Sequence, residues 1–229
     1  MDLSVIIVCY KGWERLSGCL EALDAFVLKN FSMEVIVVDN NSGDGWINDF
    51  ESKFCRFRFI KSQINGGYAY GCNLGAARAS GDILMILNPD TLVKEEAVEK
   101  LLNRAKSHPE YSIISCRQLG ENGKERRAAG KCPGMNKHGI NERKPVDSVS
   151  FPDWVSGSLM MMKKEAFHNL KGFDESFWMY YEDVDLCLRA RIAGGEIAFY
   201  NDITIEHEHG GSSRIEIGRA TCSETEYIT

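Results

Sequence analysis

NGGYAYGCNLGAARASGDILMILNPDT, residues 65–91, decides the fold. It opens on a turn, Asn65-Gly66-Gly67, and continues as a helix of small residues over 68–80, closed by Gly81. DILMIL, residues 82–87, comes next and reads as a strand buried on both faces. That strand stops at Asn88-Pro89-Asp90. Gly67, Gly71 and Gly75 recur every four residues, so a helix presents them as one smooth face for close packing. A helix feeding a buried strand is half of a βαβ unit.

The same alternation runs outward in both directions. LSVIIVC, residues 3–9, is a continuous apolar run rich in β-branched residues and predicts a buried strand. Residues 13–26 place Leu16, Leu20 and Leu23 at helical spacing, with Gly18 as a flaw. EVIVV, residues 34–38, is a second buried strand ending at Asp39-Asn40-Asn41-Ser42, and 57–61 is a short third one. Beyond residue 91 the pattern predicts an amphipathic helix over 94–107 and strands over 111–116, 154–163 and 196–207. A short helix is expected over 164–170. This order implies an α/β fold: a Rossmann-like, mixed, mostly parallel sheet flanked by helices. Ligands of such sheets gather at the carboxyl ends of the strands. Tyr10, Asp39 and Asp90 stand at those ends. Each alone is a turn residue; three at equivalent ends point to a site.

Composition narrows the function. The 229 residues are 44% hydrophobic and 26% charged, with a net charge of −6. That is a globular profile without the overall basic signature of nucleic-acid binding. Eight cysteines, none spaced as CxxC, read as reduced thiols buried in a cytoplasmic protein. No apolar run approaches the roughly 18–20 residues of a membrane helix. MDLSVIIVCYKG reads as a strand, not a signal peptide. The chain lacks GxxxxGK[ST], and no GxGxxG comes after the first strand, which disfavours an ATPase and a nicotinamide dehydrogenase. Residues 120–152 are basic and aperiodic and read as a long loop. They hold Lys124, Arg126, Arg127, Lys131, Lys137, Arg143 and Lys144 against Glu121, Glu125, Glu142 and Asp147. The loop is either a solvated insert or a contact for an anionic partner.

FWMYYEDVDLCLR, residues 177–189, sets Glu182, Asp183 and Asp185 among apolar and aromatic neighbours. Val184, Leu186, Leu188 and Ile192 predict a helix over 180–193, stopped at Gly194-Gly195. Glu182 and Asp183 then lie in its first turn, where an ionised carboxylate is favoured. They cap the helix or do chemistry. Asp90 is placed to bind a hard cation or, with Thr91, to cap the next helix. Alternation puts His207 and His209 on one face at a strand end, as structural residues or metal ligands. Trp154, Trp178, Tyr180 and Tyr181 either face a ligand or pack the core.

Together these segments resemble glycosyltransferase family 2, the inverting enzymes of the GT-A fold, and within it the rhamnosyltransferase-like branch. The matching stretches are SVIIVCYKGWERLSGCLEAL (4–23), VIVVDNNSGDG (35–45), the 65–91 run, VSGSLMMMKKEAF (155–167) and GFDESFWMYYEDVDLCLRARIAG (172–194). The resemblance implies a single GT-A domain over 1–229. Residues 1–116 would form the nucleotide-sugar half, and 117–229 the acceptor-binding and catalytic half. It implies that Tyr10 and Asp39 hold the base of a nucleotide-diphosphate sugar, with Asp39 accepting from a pyrimidine N3–H. Asn41, Asn65, Asn73 and Asn88 would line the nucleotide and sugar region.

Asp90 stands for the metal-binding position of the family's DxD signature, with Asn88 in place of its first Asp. His207 would complete the site for Mg2+ or Mn2+. Asp183 matches the general base, with Glu182 supporting it. Trp154, Gly157, Trp178 and Tyr181 would face the acceptor. The implied reaction moves a sugar from a UDP- or dTDP-sugar, dTDP-rhamnose among them, to a saccharide or lipid-linked acceptor in bacterial cell-surface polysaccharide synthesis. The implied location is cytoplasmic, with peripheral contact at the inner face of the membrane. The rival readings are a nucleotidyltransferase and a non-catalytic nucleotide-sugar-binding subunit. Neither fits as well: YKGWERL lacks the glycine-rich loop of the first, and Asp183 is the base the second would be expected to lose. Only about twenty residues come after His207, fewer than in many relatives, which would shorten the acceptor or membrane side.

Overall fold

The computed structural model describes residues 1–120, 122–132 and 144–207. In chain order the elements begin with β1 (Leu3–Cys9), α1 (Trp13–Asp24), β2 (Met33–Asp39), α2 (Trp46–Lys53), β3 (Arg58–Lys61) and α3 (Gly67–Ala76). Next come β4 (Ile83–Leu87), β5 (Thr91–Leu92), α4 (Glu95–Ser107) and β6 (Tyr111–Leu119). Three short strands come after them, β7 (Glu125–Arg126), β8 (Ala129–Gly130) and β9 (Val149–Ser150). The chain continues with β10 (Trp154–Val155), β11 (Leu159–Lys163), α5 (Lys164–Asn169), α6 (Glu182–Ile192) and β12 (Glu196–His207).

The main sheet has the order β3-β2-β1-β4-β11-β6-β12-β5. β1 to β4 are parallel, β11 is antiparallel to β4 and β6, and β12 runs parallel to β6. It is the mixed sheet expected. Its directions bring the carboxyl ends of β1, β2, β4, β6 and β12 to one edge, together with the start of β11.

Alternation along β1 divides the core. Val5, Ile7 and Cys9 face Leu16, Leu20, Phe50 and Leu101 on one side. Ile6 and Val8 face Cys72, Ala76 and Leu186 on the other. Each fully buried aliphatic side chain contributes about 1.5–3 kcal/mol. The glycine stripe of α3 does what its spacing predicts. A Cβ on Gly71 would stand 2.6 Å from Val8, and one on Gly75 would stand 2.5 Å from Ile6, so α3 lies directly on β1.

Several elements differ from the sequence reading. The run 154–163 is two strands, because Ser156-Gly157-Ser158 makes a turn between β10 and β11. The expected loop at 120–152 contributes β7, β8 and β9 through main-chain pairing. Lys137, Arg143, Glu121 and Glu142 lie outside the described residues, as do His209 and Cys222. β12 carries an irregularity: Tyr200 pairs with Cys116, yet the next partner, Arg117, pairs with Thr204. Such bulges re-aim the residues beyond them. After it Ile203, Ile205 and His207 point inward while Thr204 and Glu206 are exposed. Five of the described cysteines are buried free thiols, but Cys55 is exposed and Cys132 half-buried, which corrects the expectation for those two. Among the described residues no helix is long and apolar enough to cross a membrane.

Candidate active site

Two clusters meet at the carboxyl edge of the sheet, and the turn Ser156-Gly157-Ser158 joins them. The first cluster is the start of α6. Asp183 accepts from Gly157 N–H at its Oδ2 (2.8 Å) and from Val184 N–H at its Oδ1 (2.8 Å). Gly157 is gripped from its other side by the Tyr68 hydroxyl, which donates to its carbonyl at 3.0 Å. Gly157, expected on the acceptor side, therefore serves as the bracket that holds Asp183.

Burial lifts the Asp183 carboxyl above its ordinary range, and its backbone N–H bonds partly offset that. Beside it Glu182 is 6% exposed, with Oε2 buried and unpartnered. Burial first, and the neighbouring Asp183 charge second, push Glu182 from 4.5 up to about 7. Burial thus raises both carboxyls, and at Asp183 the backbone donors oppose that rise.

The rise at Glu182 has a measurable sign. The folded chain holds a proton on Glu182 that the unfolded chain releases, so stability is fully present below about 4.5 and falls as pH rises to about 7. Unfolding free energy is expected to drop between about pH 4.5 and about pH 7, and Glu182→Gln to remove roughly 3 kcal/mol of that drop. Asp183 contributes with the same sign and remains in the variant. Equal pH dependence of wild type and variant in denaturant titrations contradicts the assignment.

The second cluster lies at the ends of β4, β6 and β12. His207 and Asp90 are both buried, with His207 Nε2 3.2 Å from Asp90 Oδ1. Asp90 Oδ1 has no hydrogen-bond donor. A buried carboxylate oxygen left this way needs positive charge nearby, so the pair fits a divalent cation. Among the described residues no third His, Cys, Asp or Glu joins them; oxygens of a ligand or water would complete the shell. Ser158 connects the clusters: its carbonyl accepts from Asn88 N–H at 3.0 Å, and its hydroxyl donates to Gln118 at 2.8 Å. Nothing in the sequence marks Gln118.

At the ends of β1 and β2, Asp39 is buried and accepts from Ser42 N–H, and the Ser42 hydroxyl accepts from Lys11 N–H. Tyr10 is half-exposed, with Lys11 Nζ 5.4 Å from its ring centre. Asn41 is exposed in the left-handed region at φ 61°. Asn65 accepts from the buried Asn40, which sequence reasoning misses and which also donates to the Gly67 carbonyl. Asn73 is engaged within the fold: its amide donates to Phe173 O and Glu175 and accepts from Phe173 N–H. It is a clamp between α3 and the 173–175 segment.

The aromatic residues divide. Trp154 is half-buried, packed on Gly130, with the Arg127 guanidinium 5.6 Å from its ring centre. Trp178, Tyr180 and Tyr181 are more than half exposed. Tyr180 and Tyr181 both stand at φ 71°, a conformation costing about 1–3 kcal/mol per residue. The segment is anchored where Trp178 O accepts from Tyr68 N–H at 3.1 Å. A Cβ on Gly67 would be 2.4 Å from that same carbonyl oxygen, and Gly67 has φ 83°, so this approach requires glycine.

The arrangement can take a proton from a nucleophile at Asp183 and hold an anionic leaving group by a cation at Asp90 and His207. The sequence pattern of Glycosyl transferase family 2 matches residues 4–184. The low-salt glycan biosynthesis hexosyltransferase Agl10 of Haloferax volcanii is 30% identical over 210 residues, covering 83% of this chain and 62% of that protein. Rhamnosyltransferase WbbL of Escherichia coli K12 is 27% identical over 212 residues, covering 83% of this chain and 77% of that protein. Among solved structures, GalNAc-T7 with UDP, GalNAc and Mn2+ superposes with a TM-score of 0.73 at 15% identity, covering 91% of this chain and 44% of that one. The likeness is one of fold, the GT-A fold.

Proposed function

The chain belongs to glycosyl transferase family 2, and on that premise we propose that it transfers a sugar from a nucleotide-diphosphate donor to an acceptor hydroxyl, with inversion, in cell-surface glycan synthesis. The observation that carries this reading is the linkage through Gly157 and Ser158 of a helix-start carboxylate to the Asp90–His207 pair. The relatives named for hexosyl and rhamnosyl transfer support it.

In the proposed reaction the acceptor oxygen attacks the anomeric carbon from the face opposite the diphosphate. Asp183 takes the hydroxyl proton as the new C–O bond forms and the bond to the diphosphate breaks. The transition state resembles an oxocarbenium ion. No second acid is required, because the diphosphate leaves as an anion. Asp90 and His207 would hold a divalent ion, Mg2+ or Mn2+, whose charge stabilises that anion. Asp39 and Tyr10 would bind a pyrimidine base, with Asn41, Asn65 and Asn88 beside them. Trp178, Tyr180 and Tyr181 would stack on the acceptor, and the strained backbone of Tyr180 and Tyr181 is suited to aim them. Residues 1–116 would serve the donor and 117–229 the acceptor.

The donor is tested by thermal shift with UDP-, dTDP- and GDP-sugars plus Mn2+, because a ligand that binds only the folded chain raises its melting temperature by mass action. A rise with one pyrimidine nucleotide sugar is expected; no rise with any of them contradicts the reading.

A lipid-linked acceptor at an anionic membrane would account for the basic excess near β7. Lys124 and Arg127 are two of its exposed members. Lys124→Glu with Arg127→Glu is expected to weaken binding to phosphatidylserine vesicles by about tenfold or more and to raise acceptor KM, leaving donor affinity unchanged. Indifference of both quantities removes the membrane proposal.

A further inference from the structure

Gln118 closes β6 and is 1% exposed. Its Oε1 lies 3.0 Å from His207 Nδ1 and 2.8 Å from the Ser158 hydroxyl, which donates to it. An amide oxygen only accepts, so the ring nitrogen facing it carries the imidazole proton. In a neutral imidazole the lone pair is then on Nε2, the atom 3.2 Å from Asp90 Oδ1. We propose that Gln118 is a positioning residue: it holds His207 as the Nδ1–H tautomer, so that Nε2 and Asp90 Oδ1 form a two-atom donor set for a divalent cation. The inference rests on the metal-dependent reading above and assigns a role within it to Gln118.

The alternative arrangement shows why the amide matters. If Gln118 turned its nitrogen to the ring, Nδ1 would accept and Nε2 would carry the proton. That proton would point at Asp90, and the pair would satisfy itself by a hydrogen bond instead of a cation. The Ser158 hydroxyl has two acceptors in reach, Gln118 Oε1 at 2.8 Å and Ser156 Oγ at 3.0 Å, and its bond to Gln118 is the one that opposes this turning of the amide. Ser158 also receives Asn88 N–H at its carbonyl, which ties the end of β4 to the turn before β11. Gln118 Nε2 is buried without a partner in this orientation, a cost of about 1–3 kcal/mol that the two bonds to Oε1 have to offset. Partners that fix a histidine's second nitrogen commonly change metal affinity by about 10–100-fold when removed.

The test is direct. The full chain, labelled with 15N-histidine and free of metal, is studied at about pH 8, above the ordinary imidazole pKa of about 6.5. Long-range 1H–15N correlation distinguishes the tautomers, and His207 is identified by the signals missing from His207→Gln. The expected result is a protonated Nδ1 and an unprotonated Nε2. In Gln118→Leu the Nδ1–H preference should be lost and Mn2+ affinity, read by electron paramagnetic resonance, should fall about 10–100-fold. Gln118→Glu, which keeps an acceptor, should retain both. A wild-type Nε2–H tautomer overturns the proposal, as does Gln118→Leu binding Mn2+ like wild type. Should Gln118→Leu fail to fold, the wild-type spectrum and Gln118→Glu decide. If wild type binds no Mn2+ while its tautomer is as expected, the cation reading fails, and with it the purpose assigned to Gln118.

Discussion

Asp183→Asn lowers turnover by about 10²–10⁴-fold and leaves donor affinity within about twofold. The size stems from what is removed. The attacking hydroxyl has a pKa far above neutrality, so its proton must leave as the bond to the anomeric carbon forms. Asparagine has nearly the shape of aspartate but does not accept that proton. The donor side is separate: Asp183 touches Gly157 N–H and Val184 N–H, not the residues at the ends of β1 and β2. Because both carboxylate oxygens accept from backbone N–H groups, asparagine leaves one of them unmatched, which costs about 1–3 kcal/mol. Relief of a buried charge acts in the other direction. The fold should survive, and circular dichroism with donor thermal shift checks it. Near wild-type transfer by a folded variant removes Asp183 as the base.

The second large effect is at Asp90. Asp90→Ala is expected to reduce turnover by about 10²–10³-fold and to abolish the dependence of donor binding on Mn2+. The buried Oδ1 without a donor, facing His207 Nε2, is the physical reason. Excess chelator should bring wild type down to the level of Asp90→Ala and take nothing more from the variant, since both remove the same interaction. Additive losses, or wild-type activity unaffected by chelator, contradict the shared cation.

Much of this is legible in the sequence. Unbroken apolar runs mark β1, β2 and β4 because strands covered on both faces need apolar residues at every position. The four-residue glycine spacing of α3 announces its contact with β1. The Glu182–Asp183 pair can be placed in a first helical turn because the apolar positions beyond it fix the helical phase. The rest is hidden for physical reasons. Residues 154–163 are apolar enough to read as one strand, which outweighs the Ser-Gly-Ser turn signal inside that run. The short helix at 46–53 has only Ile47 and Phe50 as its buried apolar residues, too few to mark a periodicity. Asn73 lies in a diagnostic segment, yet its amide is engaged by residues 100 and 102 positions away. Gln118 meets His207 across 89 residues; a neutral amide inside an apolar strand carries no local pattern, and only the parallel pairing of β6 with β12 reveals it.

The measurement that bears most directly on the central claim is a transfer assay with the pyrimidine nucleotide sugar selected by thermal shift, a saccharide acceptor and Mn2+. Released nucleotide is followed by phosphorus NMR, and the new anomeric centre by proton coupling. The account predicts nucleoside diphosphate as the released product and a glycoside of opposite anomeric configuration to the donor, both lost in Asp183→Asn. Release of pyrophosphate, or a product retaining the donor's configuration, would contradict it.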